Sequence, residues 1–309
     1  MTDLKQLRAL RAVAEAGSFS AAADELNYTQ PAISKAIASL ERELGAVLVD
    51  RQSRPARLTD AGEALVRHAD DVFARLSSAR SEIEAITQAN AGSVSVGTFP
   101  SAGTTFVIDA MCAFRKRHPG VHVSIAEGSI PSALVRRLRA GDFDLAVVFD
   151  YPGAGEDIGE GLELLHLLDV PFDIALPPGH PLAGEDRVRP ADLAGADWLL
   201  PDFGPESPSL KLVGRMCAAA GFEPHVAFRV NNCQMTLAMV AAGEGVTILP
   251  RLMLEAHHAD VVVKPVKGEV PTERVAAVRL PARYLTPAAA EFLAALSDAA
   301  KRHADPGLA

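Results

Sequence analysis

The chain has 309 residues, 49% of them hydrophobic, which is enough for two domains with substantial cores. Its 30 Lys and Arg residues against 39 Asp and Glu give a formal net charge of −9, which excludes a polybasic protein that coats nucleic acid but allows a local DNA-reading module. Three scattered cysteines exclude a disulfide framework, and without an apolar leader or membrane-spanning run we expect a soluble, cytoplasmic protein.

The first ninety residues predict three short helices. Apolar residues at helical spacing predict a first helix that ends at Gly17, and residues 21–26 predict a second. A short polar turn separates it from a third helix, which begins near Pro31 and ends at Gly45. We expect the third helix to bury a face made of Ile33, Ile37, Leu40 and Leu44.

A short helix, a turn and a longer helix with a polar outer face are typical of the helix-turn-helix. An amide near the start of the longer helix can pair with adenine, and a hydroxyl or ammonium can hold phosphate or guanine. The candidates are Gln30, Ser34 and Lys35. Residues 51–57 then carry three arginines and no acid, which favours a wing along the phosphates, with a solvated charged loop as the alternative.

From Asp60 onward the chain predicts one long helix. Its apolar residues recur at intervals of four and three: Leu65, Ala69, Val72, Leu76, Ala79, Ile83 and Ile86. Two positions in seven are typical of a coiled coil, so we expect a dimerisation helix; the alternative is an amphipathic helix packed on its own domain. A dimer would recognise a two-fold DNA site with half-sites one or more helical turns apart.

From Ser93 onward strands alternate with helices, which predicts parallel strand–helix–strand units in two α/β lobes. Two such lobes form a hinged clamp, with a ligand held where strands end and helices begin. Hydroxyl, amide and free N–H groups at these points favour a small anion such as a carboxylate. The candidate lining is Thr98, Phe99, Ser101, Ser129, Asn231 and Asn232, with Phe149 and Phe203 as apolar residues. The alternatives are ordinary helix N-caps for the polar residues and core packing for the phenylalanines.

No motif of a hydrolase, nucleotide-binding enzyme or metalloprotease occurs, so we expect no enzyme, no cofactor and no metal. Adjacent histidines point apart, so His257 and His258 are expected at the surface. Cys233 is predicted to open a helix, where the dipole can lower a thiol pKa. Cys233 makes a thiol redox-sensing regulator of the same architecture one alternative function. A small-molecule hydrolase is the other, because the absence of a motif does not by itself exclude one.

Several N-terminal segments resemble the winged helix-turn-helix of LysR-type transcriptional regulators. They are residues 21–26, 29–35, 40–41, 44–45, 51 and 58–62. The resemblance implies DNA contacts from the recognition helix at Gln30, Pro31, Ser34 and Lys35, and from the wing at Arg51, Arg54 and Arg57. More loosely, residues 118–121, 141–146, 178–183, 240–246 and 249–250 resemble the effector-binding domain of the same family, where Ser101, Ser129 and Asn232 would line the cleft.

The resemblance implies an α/β protein with an all-α winged helix-turn-helix domain, a long linker helix and a two-lobed domain like periplasmic binding proteins. The expected bounds are 1–59, 60–89 and 90–309, with lobe I at 91–162 and 268–309 and lobe II at 163–267. The expected function is sequence-specific transcriptional regulation in response to a small molecule between the lobes. Expected partners are an operator in double-stranded DNA, a small anionic effector, a second copy of the chain in a dimer or tetramer, and RNA polymerase as a further candidate; no membrane is expected.

Overall fold

The computed structural model describes residues 3–50, 55–87, 92–128, 130–151, 161–202, 208–256, 260–268, 272–281 and 285–304. The chain divides into two compact units. The first is Met1–Ala79 with Arg139–Asp142, and the second is Arg80–Leu138 with Phe143–Ala309.

The first unit begins with three helices, α1 (Leu4–Ala16), α2 (Phe19–Leu26) and α3 (Gln30–Leu44). Each has a side-chain N-cap, from Asp3, Ser18 and Thr29 respectively. One residue in the left-handed backbone conformation follows each helix: Asn27 after α2, and a glycine after α1 and after α3. The predicted ends of the helices are therefore confirmed.

The core of the first unit contains the buried faces of α1, α2 and α3. Ile33, Ile37 and Leu40 are buried as predicted, whereas Leu44 is 45% exposed. The prediction for Leu44 was wrong because the helix ends at this residue, where the chain turns away at Gly45.

Two very short strands, β1 (Val49–Asp50) and β2 (Arg57–Leu58), pair antiparallel after α3. The first unit is therefore not all-α, since the predicted wing is held at its base by a β-hairpin. Helix α4 (Asp60–Thr87) follows, in agreement with the predicted long helix. Its buried Phe73 lies under the guanidinium groups of Arg8 and Arg11, whose carbons are 5.5 and 5.1 Å from the ring centroid.

The second unit contains two lobes, each built on a sheet. The sheet of lobe I has the strand order β4-β3-β5-β12-β6. Its strands are β3 (Ser93–Thr98), β4 (His122–Glu127), β5 (Leu145–Asp150), β6 (Glu163–Val170) and β12 (Glu273–Arg279). Its helices are α5 (Pro100–Ala102), α6 (Ile108–Arg117), α7 (Pro131–Arg139) and α11 (Pro287–Ala304), with a π-helical segment at Gly103–Val107 that joins α5 to α6.

Lobe II contains a three-stranded sheet, β10-β7-β11, and a pair, β8-β9. A bridge between Trp198 and Val246 connects the two. The strands are β7 (Phe172–Leu176), β8 (Asp197–Pro201), β9 (His225–Val230), β10 (Thr247–Pro250) and β11 (Val262–Pro265). The helices are α8 (Pro208–Ala219), α9 (Cys233–Ala241) and α10 (Arg251–Glu255), with short 3₁₀ turns at Pro181–Gly184 and Pro190–Leu193.

The strand directions differ in part from the parallel arrangement that the alternation predicted. β3 is parallel to β4 and β5, and β8 is parallel to β9, as expected. β12 runs antiparallel to β5 and β6, and β7 runs antiparallel to β10 and β11. These pairings join segments far apart in the sequence, so local alternation does not determine them.

The chain crosses between the lobes twice. The first crossing is at Pro171, between β6 and β7, and the second lies between β11 and β12. Because β6 pairs with β12, lobe I includes residues 163–170, which the expected boundary assigned to lobe II.

Candidate DNA interface and effector cleft

The exposed side of α3 carries the predicted DNA-contacting residues. Gln30, Pro31 and Lys35 are exposed and Ser34 is half-buried, while Ile33 and Ile37 fix the opposite face in the core. A hydroxyl, an amide and an ammonium group thus lie along the first turns of one helix, the part of a recognition helix that meets base edges.

The wing is attached to α3 by a hydrogen-bonding residue that the sequence reasoning missed. The Glu41 carboxylate accepts hydrogen bonds from the backbone N–H groups of Leu48 and Val49, at 2.9 and 3.4 Å. Glu41 occurs in one of the segments that resemble LysR-type proteins, but its role depends on a turn that brings β1 back to the helix.

Arg57 is exposed on β2, opposite Asp50 in the hairpin register. The other two predicted wing residues, Arg51 and Arg54, lie outside the described residues. Tyr28 is 51% exposed in the turn just before α3.

The candidate effector residues of lobe I lie together at the end of β3 and the start of α5. Thr98, Phe99 and Ser101 are all buried there. The ring of Phe99 meets that of Phe149 edge-on, with centroids 4.9 Å apart. Phe149 is itself only 5% exposed, so its ring belongs to the core that supports the site.

Ser101 does not act as a helix cap. The cap position of α5 is Phe99, and the Ser101 Oγ atom is buried without a hydrogen-bond partner among the described residues. A buried hydroxyl without a partner is costly, and in native proteins it calls for a ligand, a water or a strained function. The alternative of an ordinary N-cap therefore fails at Ser101.

The backbone directly after Ser101 is irregular. The π-helical segment contains Thr105 at φ −115° and ψ −113°, outside the helical region. The Thr105 hydroxyl donates to the Ser101 carbonyl at 2.6 Å, which ties the irregular turn to the candidate site. Such π-helical turns within α-helices occur frequently at functional sites.

The candidates of lobe II lie at the junction of β9 and α9. Asn231 and Asn232 are exposed there, and the Asn232 Oδ1 atom accepts a hydrogen bond from the Met235 N–H at 2.9 Å. Asn232 is therefore an N-cap. Ser129 and Phe203 lie outside the described residues.

The thiol chemistry of the chain differs from the expectation for Cys233. The residue does open α9, but burial raises its pKa to about 12, and burial raises that of Cys217 to about 11. Loss of hydration outweighs the helix dipole, and the thiolate is disfavoured at neutral pH. Cys112 is exposed.

Neither a metal centre nor a membrane span is found in the part of the chain that the structure describes. No group of three or more His, Cys, Asp or Glu side chains there could hold a metal ion, and His257 and His258 fall outside that part. Among the described residues, no helix combines the length and the apolar character that crossing a membrane requires.

An N-terminal winged helix-turn-helix, a long helix and a two-lobed α/β domain together define a DNA-binding regulator with a ligand-binding domain. Two family comparisons agree: "LysR substrate binding domain" matches residues 87–301, and "Bacterial regulatory helix-turn-helix protein, lysR family" matches residues 4–63. The chain belongs to the LysR family of transcriptional regulators.

Relatives and a solved structure cover nearly the whole chain. The Hca operon transcriptional activator HcaR of Escherichia coli is 28% identical over 270 residues, which span 87% of this chain and 89% of HcaR. The regulator XapR of the same species is 30% identical over 96% of this chain and 98% of its own length. The crystal structure of full-length CbnR with its target DNA is similar with a TM-score of 0.58 and 23% identity, over 96% of this chain and 99% of CbnR.

Proposed function

We propose that this LysR-type regulator reads a specific two-fold DNA site as a dimer and changes its hold on that site when a small anion binds between the lobes of the second unit. The observation that carries the DNA-reading part is the exposed row on α3, Gln30, Ser34 and Lys35, beside the wing. CbnR, which has the same fold, is known bound to its target DNA. The proposed location is the cytoplasm, where the chromosome lies, and RNA polymerase is a further candidate partner.

Self-association is supported by the exposed seam of α4. Val72, Leu76 and Ile83 are 39%, 48% and 60% exposed, although each lies at an apolar position of the predicted heptads. A helix that packed only on its own domain would bury these side chains. The seam is therefore proposed to pack against a second copy, and a dimer of dimers is compatible with it.

The proposed effector site joins the lobe I residues Thr98, Phe99 and Ser101 to Asn231 and Asn232 of lobe II. The unpartnered Ser101 hydroxyl supports an oxygen-bearing ligand, since it can donate to a carboxylate. Ser129 and Phe203 keep their predicted places in this lining, and Phe149 is proposed to support it from the core. A small anion that binds one lobe arrangement better than another shifts the population of that arrangement.

Selection of binding sites from randomised double-stranded DNA tests the reading of sequence. The full chain should enrich one motif with two-fold symmetry, and Gln30→Ala should weaken binding by ~1–3 kcal/mol with relaxed preference at one base pair per half-site. Lys35→Ala should also weaken binding, while Lys116→Ala, which removes the same charge from an exposed position on α6, should not. Failure of the full chain to enrich any motif would contradict the proposal.

A panel of small carboxylates added to the selected DNA complex tests the effector site. At least one should change the DNA affinity of the wild type, and Ser101→Ala should lose this response while binding DNA as before. Ser124→Ala, at an exposed position on β4, is the matched control and should keep it. A response that survives Ser101→Ala unchanged would contradict the proposed site.

The thiol redox alternative is favoured only by the position of Cys233 at the start of α9, and its raised pKa opposes it. Peroxide treatment of the Cys233→Ser variant distinguishes the two functions. A peroxide response of wild-type DNA binding that this variant loses would support the redox alternative.

A further inference from the structure

The two crossings between the lobes meet at a buried carboxyl group. Glu273 is the first residue of β12, directly after the second crossing, and it lies opposite Val170, the last residue before Pro171 and the first crossing. Its side chain is completely buried. A rotation of one lobe against the other about these crossings would change the surroundings of this side chain.

Only one oxygen of the Glu273 carboxyl is bound. The Tyr151 hydroxyl donates to Oε1 at 3.2 Å, whereas Oε2 is buried and has no hydrogen-bond partner among the described residues. The Tyr151 ring is packed between those of Phe149 and Phe172, with centroids 5.5 and 5.7 Å away. Phe172 belongs to lobe II, so the pair lies in an apolar contact between the lobes.

Charged groups on the neighbouring strands point away from Glu273. Arg274 is the next residue of β12, and Asp150 of β5 and Asp169 of β6 lie opposite it in register. Successive side chains alternate between the two faces of a sheet, so these three lie on the other face. Beyond the first crossing, the Asp173 carboxylate is paired with Arg251 at 2.7 Å.

Burial without a charged partner favours the neutral form of a carboxyl group. Burial raises the pKa of Glu273 to about 8, against a smaller opposing effect of the hydrogen bond from Tyr151. In a hydrated, opened hinge the same group would ionise near its ordinary pKa of about 4.5. Opening therefore releases a proton at neutral pH.

We propose that protonated Glu273 holds the two lobes in the arrangement seen here, and that loss of its proton loosens both crossings. Glu273 is a positioning residue in this role, and Tyr151 sets how strongly the proton is held. The proposal goes beyond the function above and depends neither on DNA reading nor on the identity of the effector.

Hydrogen exchange of the full chain from pH 5 to pH 9.5, corrected for intrinsic exchange rates, tests the proposal. Protection around Val170–Phe172 and in β12 should fall by up to about tenfold per pH unit as pH rises to about 8, and should level off above it. Glu273→Gln, which is neutral at every pH, should show no such fall. The control Glu244→Gln, the same change at an exposed position, should behave like the wild type.

The Tyr151→Phe variant distinguishes a role of the Glu273 proton from a role of side-chain packing alone. Removal of the hydrogen bond raises the pKa of Glu273 further. The pH above which hydrogen-exchange protection stops falling should therefore be higher than in the wild type. An unchanged pH profile in Glu273→Gln would overturn the proposal. An equal loss of protection in β4, the edge strand of the lobe I sheet three places from β12, would also overturn it, because the pH dependence would then belong to global unfolding.

Discussion

Two serines of lobe I, the half-buried Ser95 and the buried Ser101, differ in what their hydroxyl groups do. Ser95 is paired with Asp144, whose carboxylate accepts from both the N–H and the Oγ–H of Ser95 at 2.8 and 2.9 Å. The Ser101 hydroxyl, six residues further along, has no partner in the described part of the chain. The first serine is thus structural, whereas no hydrogen bond within the described residues explains the buried hydroxyl of the second.

This difference predicts opposite effects on stability. Ser95→Ala should lower the free energy of unfolding by ~1–3 kcal/mol, because it removes a hydrogen bond from a buried carboxylate. Ser101→Ala should leave it within about 0.5 kcal/mol of the wild type or raise it, because no bond is lost. Urea unfolding in the absence of ligands measures both. An equal loss of stability in the two variants would show that Ser101 is structural as well.

For single residues, the sequence predicts the type of polar group at a candidate position. It does not predict the hydrogen-bond partner or the burial that the group has in the fold. Ser101 and Asn232 were predicted on the same grounds, yet only Asn232 caps its helix. The lowered pKa expected for Cys233 was wrong because burial, which depends on tertiary packing, outweighs the helix position. Glu273 was missed since nothing in its sequence neighbourhood shows that it is buried.

At the scale of elements, the first turn of α4 fixes the wing. The Thr59 hydroxyl donates to the Val47 carbonyl at 2.7 Å and accepts from the Gly62 N–H at 3.1 Å. A Cβ atom on Gly62 would collide with the Leu48 carbonyl oxygen. Glycine is required here because α4 and the wing hairpin approach each other closely.

Gly62→Ala should therefore destabilise the first unit by ~1–3 kcal/mol and weaken DNA binding. Gly214→Ala is the matched control, since Gly214 lies within α8 and its added Cβ would meet open space. This control should stabilise the chain by ~0.5–1 kcal/mol through helix propensity. Thermal unfolding and DNA affinity measure both variants, and a Gly62→Ala protein as stable as the wild type would refute the close approach.

The exposed seam of α4 gives a second prediction at this scale. Leu76→Glu should dissociate the dimer, because it places charges at the centre of the proposed coiled coil. His68→Glu, at an exposed position outside the seam, should leave the dimer intact. Sedimentation of the 32.6 kDa chain distinguishes the two states. A Leu76→Glu protein that stays dimeric would mean that other surfaces hold the copies together.

Elements with strong local signals were predicted well. The strand predicted from the uninterrupted apolar run of β5 and the long helix predicted from Asp60 onward agree with the structure to within a few residues. β6 was missed because its four leucines do not alternate at the period of a strand and instead recur at helical spacing. Its membership of lobe I depends on pairing with β12, more than a hundred residues later in the chain.

At the scale of the whole molecule, the family followed from the sequence, but the place of β6 in the sheet of lobe I did not. Both crossings between the lobes are short, and the first is a single proline between two strands. A hydrophobic core cluster containing Val96 of lobe I and Trp198 of lobe II runs through the second unit. The two lobes are therefore connected by one continuous packed core.

The α3 helices of two copies, joined through α4, are proposed to read one two-fold DNA site. Footprinting of the full chain on the selected DNA tests it most directly. The wild type should protect two half-sites, whose centres lie a whole number of helical turns of about 10.5 base pairs apart. At the same protein concentration, Leu76→Glu should lose protection of both half-sites together. If the wild type and Leu76→Glu protected a single half-site equally, reading of the site by a dimer would be contradicted.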